Sequence, residues 1–222
     1  MRAFRTILAK DLRVELRTFE SVPAMALFAV TAFVLFRFGL DREALEGSLA
    51  AGVLLVTVLF AAILAINRVF VAEREQGGFD AIRLAPVDGS ALYAAKATAL
   101  VVYLTALELV AVPAFALLFI DSWAGLAPLV PVLLLVNVGL AATGTLVSAI
   151  AVNSRARDLL APLILLPLLV PVMIAAAGAA EQLLAAGGPS YEGLGRWVAL
   201  LALYDVIFLL VGYAVYDFLL ED

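Results

Sequence analysis

An all-α membrane protein with six transmembrane helices is the fold this sequence predicts, and three observations predict it. Hydrophobic residues fill 65% of the 222 positions and charged residues only 15%, more apolar surface than a water-soluble domain of this size can hide. Uncharged windows run over residues 21–36, 47–67, 122–154 and 159–180, while 97–120 and 197–216 carry one acid each. A bilayer-crossing helix needs roughly 20 apolar residues. Basic residues are also segregated between alternate loops. The chain therefore reads as a single transmembrane domain over 1–222, with spans at about 21–38, 47–71, 97–120, 126–152, 159–178 and 197–219.

Residues 1–20 read as an amphipathic interfacial helix. Phe4, Ile7, Leu8, Leu12, Leu16 and Phe19 fall on one side of a helical wheel, and Lys10, Arg13 and Arg17 on the other, as for a helix in the headgroup plane. Membrane anchoring alone would account for that pattern. Asp11 and Glu15, however, lie close to the middle of the apolar stripe. Acids there need basic or polar partners, which points to contact with other protein as well as lipid. The long charged start, with no small-x-small site after the first apolar run, does not fit a cleavable signal peptide. The first span is short and recruits Arg37, snorkelling, at its end.

Residues 72–96 form the polar loop between the second and third spans. Gly77 and Gly78 end the helix before it. The run Phe79-Asp80-Ala81-Ile82-Arg83-Leu84 forms a short helix that Pro86 stops, and the chain re-enters a helix after Asp88 or Ser90. Arg2, Arg5, Lys10, Arg13, Arg17, Arg74, Arg83, Lys96, Arg155 and Arg157 share one side of the membrane, against Arg37, Arg42 and Arg196 on the other. The positive-inside rule places both termini and this loop in the cytoplasm. The net charge of -5, without a long charge run, gives no reason to expect a nucleic-acid partner.

Two acids lie inside spans. Glu108, in the middle of 97–120, costs on the order of 3 kcal/mol unless it faces protein or water or is protonated. Either an interhelical hydrogen bond or a part in substrate passage or coupling would explain it, and Pro113 can open the backbone nearby. Asp205 lies nearer the end that carries Trp197, where water can reach it. The fourth span carries Gly139, Gly144, Thr145 and Ser148, small residues that permit close helix packing. Pro162, Pro167 and Pro171 predict a fifth span that is kinked or starts late. Beyond it, Gly178, Glu181, Gln182, Gly187, Gly188 and Pro189 predict short re-entrant or interfacial helices on the outer face. Trp123 and Trp197 mark the outer interface.

The chain contains no cysteine and no histidine. That removes disulfides, thiolate metal sites, thiol nucleophiles and the usual general base and axial haem ligand. No phosphate-binding or dinucleotide fingerprint occurs. The expectation is a chain with no catalytic or metal site and no cofactor of its own, driven by an ion gradient or by another subunit.

The order of elements resembles the permease half of an ATP-binding-cassette (ABC) exporter of the polysaccharide and lipid class. There the loop after the second span is similar to Glu73-Arg74-Glu75-Gln76-Gly77, and its short helix docks on a separate ATPase. Within that class the chain resembles the CcmB family of cytochrome c maturation. The resemblance rests on Lys10-Asp11-Leu12-Arg13-x-Glu15-x-Arg17, Leu84-Ala85-Pro86-Val87-Asp88-x-Ser90-x-Leu92-Tyr93-x-x-Lys96, Glu108-Leu109-Val110, and 163–171 with Pro167 and Pro171. It implies a bacterial inner-membrane subunit, so that the outer-face helices would be periplasmic. It also implies two permeases paired with two CcmA ATPases that hold the ATP, and work with CcmC, CcmD and the haem chaperone CcmE. Haem is then cargo, without histidine or cysteine ligation. Only weak ligands such as Met25, Met173 or tyrosines are present.

On this resemblance Phe79, Ile82 and Leu84 form the coupling helix, Glu73 and Glu75 order its hinge, and Pro86 and Asp88 bound it. Asp11, Glu15 and the basic face of the first helix clamp the unit to the membrane surface. A permease for a lipid-linked polysaccharide or a drug, or a proton-coupled carrier using Glu108, are the alternative readings. A membrane-embedded enzyme fits least, since no paired acid or Ser-Lys constellation shares a depth.

Overall fold

In a bilayer every backbone amide must find its partner inside the protein, so long apolar runs become helices. The computed structural model of the chain describes residues 2–75, 88–151 and 157–221, and no strand occurs among them. Helix α1 (Arg2–Thr18) leads into α2 (Ser21–Leu40), α3 (Gly47–Glu75) and α4 (Gly89–Phe119). A 3-10 turn at Trp123–Gly125 precedes α5 (Leu126–Ala151), followed by α6 (Arg157–Leu183) and α7 (Leu194–Glu221). Six of these, all but α1, are long and apolar enough to cross a membrane.

Helix α5 packs against α3, α4, α6 and α7, while α3 sits between α2 and α6. The most apolar window of α3 is 67% buried, against 17% for α2 and 22% for α7; α3 is thus a core helix, and α2 and α7 turn their apolar side chains outward. Phe33 of α2 lies 5.5 Å from Phe115 and 6.3 Å from Phe119 of α4, ring centroid to centroid, and locks the two helices together. At the opposite end of the bundle from α1, Leu45 N–H donates to the Phe119 carbonyl (2.9 Å) and Gly47 N–H to that of Leu184 (2.6 Å).

Helix α4 begins at Gly89, in keeping with a helix that re-enters after Asp88, and Lys96 lies within it. Two other expectations change. Between Leu183 and Leu194 the chain makes turns and bends in place of the expected short helices. Helix α6 runs on through Gly178, Glu181 and Gln182, and so takes up the apolar residues those helices would have needed.

The fifth span also does not start late: it is helical from Arg157 and continues through Pro162, Pro167 and Pro171. Pro171 deprives the Pro167 carbonyl of its usual donor and loosens the adjoining turn. Next to it the Tyr204 hydroxyl donates to the Leu168 carbonyl at 2.9 Å and ties α7 to α6.

Candidate coupling and intramembrane sites

Helix α1 turns one face to α4. Leu8 and Leu12 pack on the main core, while Leu16 and Phe19 stand 68% and 65% exposed; only the first half of the apolar stripe is used inside the protein. The acids in that stripe find their partners within the chain. Asp11 is buried, and its Oδ2 lies 2.9 Å from Nζ of Lys96, which is 2% exposed. Lys10 Nζ stands 3.3 Å from Asp11 Oδ1. The Tyr103 hydroxyl donates to the Asp11 backbone carbonyl at 2.9 Å.

Glu15 Oε1 accepts the N–H groups of Ser21 and Val22 at 2.9 and 2.8 Å. Free amides at a helix start attract a carboxylate, so Glu15 caps α2 from the preceding helix. Phe19, at φ 50°, makes the corner between the two. Contacts with a second protein are therefore not needed to explain Asp11 or Glu15. Arg13 and Arg17 are exposed on the other face of α1.

The corner is tied to α3 as well, because Arg68 Nη1 donates to the Glu20 carbonyl at 2.9 Å. Helices α3 and α4 flank residues 76–87. Of the residues expected there, Glu73 and Glu75 fall in the last turn of α3, and Asp88 is the exposed N-cap residue of α4, without a side-chain cap bond. Phe79, Ile82, Leu84 and Pro86 lie outside the described residues.

Inside the bundle, Asn137 Nδ2 on α5 donates to Glu108 Oε2 on α4 at 2.9 Å, with both residues buried. An interhelical hydrogen bond thus exists where sequence alone left two explanations. Glu108→Gln is expected to keep this bond and leave thermal unfolding in detergent unchanged. Asn137→Leu strips the acid of its donor and should cost about 2 kcal/mol, read as a lower midpoint. Equal midpoints for wild type and Asn137→Leu would count against the pairing.

Asp205 is not at a wetted end. It is 4% exposed, and neither carboxylate oxygen accepts a hydrogen bond from the described residues. It faces Gly139 on α5, where an added Cβ would meet Asp205 Oδ1 at 2.8 Å. Beside it, Thr143 Oγ1 and the Tyr204 hydroxyl lie 2.8 Å apart. Pro162 is half-buried, while Pro167 and Pro171 are exposed on the surface of α6. Met25 is fully buried in the core, where it serves packing. In sequence, Tyr93 enters only through the family motif and Lys96 only through that motif and the charge count, with no role of their own, and Asn137, Tyr103 and Tyr204 carry no assignment. A lone Lys at the edge of an apolar run, and a lone Asn inside one, are the signals that could have found Lys96 and Asn137.

Six apolar helices, with an amphipathic seventh packed at one end, define a multi-pass membrane protein, and the ion pairs among the described residues lie at that end. The model of the CcmB protein family matches residues 2–219, and the chain belongs to that family. It is accordingly the permease subunit of a haem-exporting ABC transporter of cytochrome c biogenesis, partnered by the ABC ATPase CcmA. No curated protein matches the chain.

Proposed function

We propose that the chain forms the membrane half of an inner-membrane complex of two permeases and two CcmA ATPases, with both termini in the cytoplasm. ATP hydrolysis on CcmA drives either haem export or the release of haem-loaded CcmE, and CcmC and CcmD take part. The observation that carries this reading is a family match over residues 2–219, nearly the whole chain. The concentration of Arg2, Arg5, Lys10, Arg13 and Arg17 in the first helix supports the orientation. In this scheme Phe79, Ile82 and Leu84 pack into CcmA, Glu73 and Glu75 order the hinge, and Pro86 and Asp88 close the segment. Closure of the ATPase dimer then tilts α3 and α4.

Expression of the chain in a strain lacking its own CcmB tests the proposal. Covalently bound haem should reappear in c-type cytochromes on stained gels. An inserted protein that restores no staining would sink the reading.

A further inference from the structure

The unassigned feature with the most built-in geometry is the bonding that ties α1 to α2 and α4, together with the bond that ties the start of α2 to α3. Asp11 is ion-paired at 2.9 Å to Lys96 of α4, Glu15 Oε1 holds the first amides of α2, and the Glu20 carbonyl accepts from Arg68 of α3. Arg68 stands before residues 76–87 and Lys96 after them. A helix that served only as a lipid anchor would need none of these bonds.

The Asp11–Lys96 pair is buried on both sides, 7% and 2% exposed. A buried ion pair gains little net stability, because desolvation offsets its attraction, whereas removing one partner is strongly felt. Its best-attested use is to fix one arrangement of helices among several that apolar packing would tolerate. The Tyr103 hydroxyl on the Asp11 carbonyl, about two helical turns beyond Lys96 along α4, adds a second point of attachment. Two attachments on one helix fix orientation as well as distance.

We propose that α1 is a transmission bracket, in which Asp11 and Lys96 are positioning residues that make α2, α3 and α4 move together when the segment between α3 and α4 is displaced. The inference rests on the permease reading above. Wild-type complementation reports on that reading alone, so a failure there is distinguishable from a failure confined to the variants.

The test uses the full permease–CcmA complex with Lys96→Met, Asp11→Asn and the swap Asp11→Lys with Lys96→Asp. The single variants should insert, retain CcmA and hydrolyse ATP as the wild type does. Matured c-type cytochrome should fall by about tenfold, within the usual range of coupling free energies. The swap should restore most of that maturation. Normal maturation in either single variant would overturn the inference, as would maturation that falls only in step with bound CcmA and ATPase rate. Should a single variant fail to accumulate, the swap decides: recovery of protein and maturation together supports the bracket, and any other result overturns it.

Discussion

Replacing Phe79 and Ile82 together by aspartate is expected to abolish co-purification of CcmA while membrane insertion stays normal. The two residues are three apart in Phe79-Asp80-Ala81-Ile82-Arg83-Leu84, so on a helix they share one face. Apolar anchors of this kind dominate the energy of a docking surface, and burying carboxylates in their place adds a desolvation penalty. A loss of about 4 kcal/mol weakens affinity about a thousandfold, enough to clear the ATPase from a pull-down. The frame around the segment should survive, since Arg68 still donates to the Glu20 carbonyl and Lys96 still pairs with Asp11. An unchanged thermal midpoint checks that frame. Normal recovery of CcmA with the double variant would remove the coupling assignment.

Gly212→Ala should produce the largest loss of stability. The Tyr93 ring lies directly on Gly212, and the added Cβ would overlap the ring carbons and the hydroxyl oxygen of Tyr93. That ring has nowhere to go. Tyr93 is 2% exposed, its hydroxyl is within hydrogen-bond distance of the Ala142 carbonyl (3.2 Å) and the Phe208 carbonyl (3.1 Å), and its ring contacts Tyr216 at 5.3 Å. Moving it to admit a methyl group breaks the junction of α4, α5 and α7. Overpacking typically costs about 1–3 kcal/mol, and a lost hydrogen bond about 1 kcal/mol more. Thermal unfolding in detergent should therefore start about 5–10 °C lower. Tyr93→Phe in the same assay should cost only the hydrogen bond. If Gly212→Ala unfolds with the wild type, the close approach of α4 and α7 is wrong.

The legibility of this chain follows from where the physical signal lies. The spans could be read because insertion into a bilayer depends on the summed hydropathy of about twenty residues. Glu108 stood out for the same reason, as a cost against that sum. Its donor could not be read: nothing in the spacing of 108 and 137 says that α4 and α5 turn these residues toward each other. The burial of Asp205 cannot be read from its distance to Trp197 along the chain, because packing of α5 and α6 decides how far it is covered. At the outer turn, glycines that permit a break do not enforce one, and α6 runs on to Leu183.

Helix α1 shows the same division most clearly. Its sequence alone determined an amphipathic helix with two acids that required partners, and the family resemblance carried by its charged motif agrees with the family found over residues 2–219. Only the tertiary structure decided that those partners are Lys96 and the amides of Ser21 and Val22 rather than another protein. Periodicity fixes which face of a helix is apolar and how many times the chain crosses. Which side chains meet across helices depends on rotation and depth, and those are set by packing at contacts such as Tyr93 on Gly212 and Asp205 on Gly139.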